Sequence, residues 1–291
     1  MGEVQRVQGR DLSNEDINYI SRLIKDHPSW SRSQLSQVIC RQWNWSNAKG
    51  QIKDMAARTM LLKLEKLSCI TLPPRRREPV NRMLQKVITS IEHDPKPIEC
   101  SLRDIQPILV VSTWQEKAHE DLFACLVSRY HYLGYKGIVG ENMKYVIFDC
   151  NERVLGCVLF GSSAWTVNSR DTYIGWNESK RQSKLHLITN NMRFLILPWV
   201  RIPHLASHVL GYISRRISAD WEQRYGHPIY LLETFVEKDR FVGTCYKAAN
   251  WIWVGETKGR SRNDRYLRLQ VPIKDVYLYP TVSNFKKKLM A

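Results

Sequence analysis

The spacing of apolar residues in the N-terminal part of the chain predicts two short helices in succession. Ser13 or Asn14 can cap the first helix, and Pro28 ends it. Ser33 can cap the second helix. The apolar positions that repeat at helical spacing are Ile17, Ile20 and Ile24 in the first helix and Leu35, Val38, Ile39 and Trp43 in the second.

A third helix and a short strand complete this N-terminal pattern. The segment "GQIKDMAARTMLLKLEKL" predicts a helix from Gly50 to Leu67, and Cys69–Leu72 predicts a strand that Pro73 stops. Three helices followed by a closing strand are typical of a winged-helix or helix-turn-helix module. We therefore expect a winged-helix-like module over residues 1–72, followed by a connector over residues 73–110.

From residue 111 onward, strand patterns alternate with helical ones, which predicts a mixed-sheet domain over residues 111–291. The fold class expected for the whole chain is therefore α+β or mixed α/β. The predicted elements are a helix ending at Gly134, a hairpin of Tyr145–Phe148 and Val154–Phe160, a strand Asn191–Val200, a helix Leu205–Tyr225, the strand "IYLLETFVE", the short helix "RFVGTCYKAANW", and the strands "IWVGETKG" and "DVYLYP".

Net charge points to a polyanionic partner. The 291 residues include 44 Lys and Arg against 28 Asp and Glu, a formal net charge of +16. Nucleic acid is the first candidate for such an excess, and an ordinary basic protein is the alternative. No run of eighteen apolar residues and no signal peptide is found, so we expect no membrane partner. Seven cysteines without a CxxC pair suit a reducing cytoplasm.

Two basic segments are candidates for contacts with DNA, whether single- or double-stranded. Basic side chains on a recognition helix, or on a loop beside a duplex, neutralise phosphates, and counterion release supplies affinity. The alternative is a solvated helix face with a basic linker. The candidate residues are Lys49, Lys53, Arg58, Arg75, Arg76 and Arg77 around the third helix, and Lys258, Arg260, Arg262 and Arg265 in a glycine-flanked loop.

The order of elements in the C-terminal domain resembles the GNAT acyltransferase fold. In that family an R/Q-x-x-G-x-G/A loop holds the CoA pyrophosphate, and a later helix carries a tyrosine that protonates the departing thiolate. The matching loop here is Arg201–Ala206, and the matching tyrosine is Tyr246. His204 replaces the family's glycine, and Pro203 has no N–H to donate. These departures argue against acetyl-CoA, and the cofactor stays undetermined.

Four phrases resemble the family of Druantia anti-phage system protein A. They are "KDMAARTMLLKLEKLSCITLPP", "RFLILPWVRIPHLASHVLG", "LLETFVEKDRFVGTCYKAANW" and "VGETKGRSR", in that order along the chain. The resemblance implies a prokaryotic protein of a defence system or mobile element that works on or near foreign DNA. Other defence-system or transposition proteins are then possible partners.

Candidate catalytic residues cluster in sequence around Tyr246. Tyr246 can attack a phosphodiester, with Glu233 accepting its proton and Arg201 with His204 stabilising the charge that develops. Cys245 is a rival nucleophile. The alternative is a structural role for both residues. An aromatic side chain in a short helix more often packs in the core, and a lone cysteine is usually buried and unreactive.

A divalent metal ion is an alternative cofactor. His204 and His208 share one helix face and could bind such an ion with Glu233 or Glu237, but no HExxH motif supports this.

These residues lead to one expected function and two alternatives. We expect a DNA-binding protein of an anti-phage defence system or mobile element that breaks or joins DNA strands through Tyr246. An acyltransferase with an atypical acyl donor, and a non-enzymatic DNA-binding recruitment subunit, are the alternatives.

Overall fold

A computed structural model describes residues 5–7, 10–46, 50–76, 87–259 and 271–291 of the chain. Their contacts divide the protein into two units, Met1–Asn81 and Arg82–Ala291. None of the helices in these ranges has the length and apolar character needed to cross a bilayer.

The first unit combines an antiparallel two-stranded ribbon with three helices around a small core. Ile20, Leu35 and Met60 are completely buried in that core. Its elements are β1 (Gln5–Val7), β2 (Arg10–Leu12), α1 (Asn14–Asp26), α2 (Arg32–Gln42) and α3 (Asp54–Lys66).

Both early helices begin with a capping box. Of the two residues predicted as caps for α1, Ser13 is the cap, and it forms the capping box with Asp16. For α2 the predicted cap, Ser33, is wrong: Ser31 is the cap residue, and its hydroxyl accepts from the N–H of Gln34. The N–H of Ser31 in turn donates to Gln34 Oε1. These two hydrogen bonds form a capping box, which identifies Ser31 rather than Ser33 as the cap.

The strand predicted at Cys69–Leu72 is absent from the described residues, where that segment is irregular. The N–H of Leu72 donates to Glu65 Oε1 at 3.3 Å, and the carbonyl of Pro73 accepts from Arg32 Nε at 2.8 Å. Side chains therefore satisfy backbone groups that a partner strand would otherwise pair. The three helices are confirmed, and the winged-helix assignment is not.

Much of the predicted connector belongs to the second unit. Ile105 is completely buried in the core of that unit. The elements of this segment are β3 (Ile98–Glu99), which pairs with a later short strand, and β4 (Leu109–Ser112), which forms one edge of the main sheet.

A seven-stranded mixed sheet organises the second unit, which confirms the mixed α/β expectation for this region. The strand order is β10-β11-β9-β7-β6-β5-β4, and every neighbouring pair except β7–β9 is antiparallel. The remaining elements are α4 (Lys117–Tyr130), β5 (Asn142–Phe148), β6 (Val154–Ser162), α5 (Asn168–Ile174), α6 (Glu178–Lys184), β7 (Ile188–Ile196), β8 (Val200–Arg201), α7 (Leu205–Tyr225), β9 (Leu231–Glu237), α8 (Thr244–Ala248), β10 (Ile252–Glu256), β11 (Lys274–Pro280) and α9 (Phe285–Met290).

Helices cover both faces of the sheet. Lys144 of β5 pairs with Glu120 of α4, whereas the next residue, Tyr145, donates its hydroxyl to Asp220 of α7. Since successive strand residues point to opposite faces, α4 and α7 lie on opposite sides of β5.

The strands β7 and β9 diverge part way along their length. Only residues Ile188–Asn191 of β7 pair with β9, in parallel, and their partners are Leu231–Thr234. A bulge then leaves Met192 without a partner on β6, because Leu159 pairs with Arg193 and Phe160 with Asn191. Beyond this point β7 follows β6 while β9 follows β11, and a gap opens inside the sheet. The single strand predicted over Asn191–Val200 is two strands in the structure, because β7 ends at Ile196 and β8 begins at Val200.

Candidate functional site

The gap between β7 and β9 is part of a cleft of about 800 Å³, which we call the splayed cleft. Its walls are the diverging ends of both strands, the loop after α4 and the segment leading into α8. A cavity of this size matches the pockets that hold small molecules or single groups of a larger ligand.

Tyr246 of α8 lies in the wall of this cleft with its hydroxyl in a fixed role. Asn191 Nδ2 donates to the carbonyl oxygens of Leu159 at 3.1 Å and Arg193 at 3.2 Å. Both amide hydrogens are therefore used, and Asn191 Oδ1 must accept. Tyr246 donates to that oxygen at 2.6 Å, and Thr234 lies within 3.4 Å of the phenolic oxygen. The geometry fixes Tyr246 as a proton-bearing donor.

Burial keeps both candidate nucleophiles in this segment protonated. Tyr246 is 8% exposed, and burial raises its pKa well above the ordinary value for a tyrosine. Burial also raises the pKa of the Cys245 thiol. Neither residue is ionised at neutral pH, so either one needs help from a bound ligand before it can attack.

Backbone geometry at Gly243 positions the start of α8. Gly243 has φ +74°, and a Cβ there would lie 2.8 Å from the hydroxyl oxygen of Tyr277. Tyr277 is 1% exposed and stacks on Tyr246, with ring centroids 6.0 Å apart. Glycine lets the chain turn closely over Tyr277 and set Tyr246 beside Asn191.

Glu233, predicted as the base for Tyr246, lies on the opposite face of the sheet. It precedes Thr234, whose side chain is next to the Tyr246 hydroxyl, so Glu233 points away from it. Its carboxylate is fully buried against Arg170, with Nη1 and Oε2 2.8 Å apart, and accepts from the N–H of Ala164 at 2.7 Å. Burial raises the pKa of Glu233, and Arg170 opposes that rise. The structure does not bring this carboxylate to Tyr246.

Arg201 and His204 also lie apart from the splayed cleft, since neither is among the residues of its walls. Arg201 of β8 is exposed and pairs with Glu99 of β3 at 3.0 Å. His204 is the cap residue of α7 and has φ +63°, a conformation usual for glycine. Among the described residues no group of three His, Cys, Asp or Glu side chains is placed to hold a metal ion.

Other cations do line the cleft. Arg193, Arg240 and Lys274 contribute to its walls, with Glu237 as the carboxylate among them. Arg193 follows the bulge, and its guanidinium donates to the carbonyls of Gly134 and Met192. The sequence patterns did not single out Arg240 or Lys274 because they lie far apart along the chain.

His131 is a further residue of the cleft that sequence reasoning missed. Burial and the nearby Arg193 lower its pKa to about 4. Its Nδ1 accepts from the N–H of Leu133 at 3.2 Å, which places the proton of the neutral ring on Nε2. At neutral pH His131 is an uncharged donor.

The predicted nucleic-acid-binding residues are only partly described. Lys53, Arg75 and Lys258 are exposed. Arg58 pairs with Asp54 at 2.6 Å, and Arg76 donates to the carbonyl of Ser29 at 2.6 Å. The others lie outside the described residues; they are Lys49, Arg77, Arg260, Arg262 and Arg265.

Comparison with known proteins gives one family and a set of distant structural likenesses. The family model described as Druantia protein DruA matches residues 63–281. No curated protein matches the sequence. A spermidine/spermine N-acetyltransferase from Vibrio cholerae matches with 8% identity and a TM-score of 0.40, over 62% of this chain and 96% of that one. The Vibrio cholerae spermidine N-acetyltransferase in complex with CoA and spermine matches with 7% identity and a TM-score of 0.40, over 63% and 98%.

Proposed function

This chain belongs to the family of Druantia protein DruA, and on that premise we propose that it is a DNA-binding component of prokaryotic anti-phage defence. In this proposal the splayed cleft receives a DNA strand, and Tyr246 breaks or joins it. Other proteins of the defence system or of a mobile element would act with it.

The observation that carries the proposal is the combination of groups in one cleft. Tyr246, whose hydroxyl is held by Asn191, lines the splayed cleft together with three cations and one carboxylate. The cations are Arg193, Arg240 and Lys274, and the carboxylate is Glu237. The whole chain carries a net charge of +16. Guanidinium and ammonium groups bind phosphate oxygens well, and they act more strongly in a cleft than in open water.

The proposed reaction is a transesterification that needs no carboxylate base. The Tyr246 oxygen forms a bond to phosphorus, the bond from phosphorus to one deoxyribose oxygen breaks, and the phenolic proton ends on that departing oxygen. One strand end is then held as a phosphotyrosine, and the reverse step rejoins it. Because the pKa of Tyr246 is raised, the cations beside the phosphate must stabilise the charge that develops. Arg193 and Arg240 take the role that sequence reasoning gave to Arg201 and His204.

Acyl transfer is the rival chemistry for the same tyrosine. Its donor would need the amides at the start of α7 to hold a pyrophosphate. Pro203 has no N–H, and the N–H of Leu205 is directed at the carbonyl of Ile202 at 3.3 Å. Two backbone donors of that loop are thus lost to an anion, which favours the DNA proposal.

A denaturing gel of end-labelled single- and double-stranded DNA, with and without Mg²⁺, tests the proposal. We expect cleaved or protein-linked DNA from the natural protein and none from Tyr246→Phe. Tyr212→Phe, the same change at an exposed tyrosine of α7 outside the cleft, should leave the products unchanged. Glu233→Gln should retain activity in the fraction that folds.

Three other results would each contradict strand breakage by Tyr246. Product that persists in Tyr246→Phe assigns the chemistry elsewhere. Unaltered DNA that still shifts on a native gel leaves a recruitment subunit. Acyl-CoA binding by calorimetry together with acyl transfer would identify an acyltransferase.

A further inference from the structure

The mouth of the splayed cleft exposes four large apolar side chains. Two come from the loop after α4 and two from the loop between β9 and α8. Exposed apolar groups gathered at one opening mark a binding surface, whereas single exposed ones need no explanation. The four residues and their exposed fractions are Tyr132 at 43%, Leu133 at 50%, Phe241 at 46% and Val242 at 74%.

Two of these side chains form an aromatic pair across the opening. The ring centroids of Tyr132 and Phe241 are 5.5 Å apart, with the planes tilted by 57°. The guanidinium carbon of Arg240 lies 4.7 Å from the centre of the Tyr132 ring. Arg240 also lies 3.8 Å from Glu237, so that carboxylate partly neutralises it. His131 also stacks on the Tyr132 ring, with centroids 4.8 Å apart. Arg240 and His131 therefore both lie against Tyr132, and the half-exposed Phe241 ring is the face that the mouth presents beside a cation.

This chemistry selects a ligand with a flat apolar face attached to an anion. Bases stack on aromatic side chains, and the phosphates beside them bind Arg and Lys. Arg193 and Lys274 line the same cleft and add to its positive charge. A free acyl chain would use the apolar groups and leave the cations without a role.

We propose that the mouth of the splayed cleft binds an unpaired base of single-stranded DNA, stacked on Phe241, with the tilted Tyr132 ring against the edge of the base. The phosphate next to that base contacts Arg240. In a duplex, base faces are hidden in the stack, and only an unstacked nucleotide can present one to a protein ring. The inference rests on the proposed function in that DNA is the ligand, and it specifies single strands.

The test compares single-stranded DNA with a matched duplex by fluorescence anisotropy, and reports stacking with one 2-aminopurine in the single strand. The Tyr132→Ala/Phe241→Ala variant should bind the single strand about 5- to 150-fold more weakly, the range for losing one base–aromatic stack. Its affinity for the duplex should stay unchanged, and the quenching of 2-aminopurine should be lost.

Two further variants separate stacking from folding. Trp165→Ala removes an aromatic of similar exposure, 48%, outside the cleft, and should bind both DNAs like the natural protein. Tyr132→Phe keeps the ring and should retain single-strand affinity. Equal loss for single strand and duplex in the double-alanine variant, or the same loss in Trp165→Ala, would overturn the inference.

The outcomes also distinguish this inference from the broader proposal. If every variant binds DNA equally, the mouth is not the base site, but DNA binding stands. If the natural protein binds neither DNA form, both proposals fail. Strand breakage without any dependence on Tyr132 or Phe241 would support the proposed function alone.

Discussion

Replacing Arg170 with methionine should strongly destabilise the second unit. Arg170 and Glu233 are both completely buried, with 2.8 Å between Nη1 and Oε2. Arg170 also donates to the carbonyl of Ala164 at 2.8 Å and to Asp171 at 2.9 Å. Methionine fills much of the same space but leaves the Glu233 carboxylate as an uncompensated buried charge.

The magnitude follows from that unpaired charge. Removing one partner of a buried ion pair costs about 3–5 kcal/mol of unfolding free energy. Glu233→Gln should cost less, about 1–3 kcal/mol, because Arg170 keeps Asp171 as its counter-ion at 2.7 Å and the neutral amide can still accept from the N–H of Ala164. In the Arg170→Met/Glu233→Gln double variant the loss should be smaller than the sum of the two single losses, since no unpaired carboxylate remains.

Urea unfolding followed by near-UV circular dichroism measures these differences. Lys117→Met is the matched control, because Lys117 pairs with Asp121 on the surface and is 75% exposed. Its unfolding should match that of the natural protein, because an exposed ion pair contributes little to stability. The reasoning is refuted if Arg170→Met unfolds like Lys117→Met. If Glu233→Gln kept full stability but lost all activity on DNA, Glu233 would have a chemical role.

Three further predictions concern local features of each unit. Gly243→Ala should lower the stability of the second unit by about 1–3 kcal/mol, because a side chain at φ +74° is strained and meets Tyr277; unchanged urea unfolding would contradict this. His131 has a pKa of about 4 in the folded protein against 6.5 for the free side chain. Its contribution to the free energy of unfolding is therefore complete above pH 6.5 and is lost as the pH falls toward 4. His131→Gln should show a shallower fall, and equal pH profiles would refute the assignment. Ser31→Ala should cost the first unit about 1 kcal/mol through its lost cap, whereas Ser33→Ala should cost much less; the reverse order in thermal unfolding would show that the cap was misassigned.

The sequence alone predicted those helices and strands whose boundaries depend on residues close to them along the chain. The helix predicted at Leu205–Tyr225 has those bounds in the structure, because its apolar repeat and the left-handed Gly226 that ends it are both local features. The central strand predicted before α8 is β9, which begins two residues later than the pattern suggests. The sequence also indicated Tyr246 as a candidate functional residue, through the resemblance of its segment to the tyrosine-bearing helix of the GNAT fold.

Only the tertiary structure decided which of these residues meet. Glu233 and Thr234 are adjacent in sequence, yet one lies against Arg170 of α5 and the other against Tyr246 of α8. Which face of β9 each helix covers depends on the connections of the whole sheet. The splayed cleft likewise arises because β7 and β9 follow different partner strands beyond Asn191. No local pattern encodes where two strands part, since that depends on residues distant in sequence, and so the cations and aromatic rings around the cleft emerge only in the folded protein.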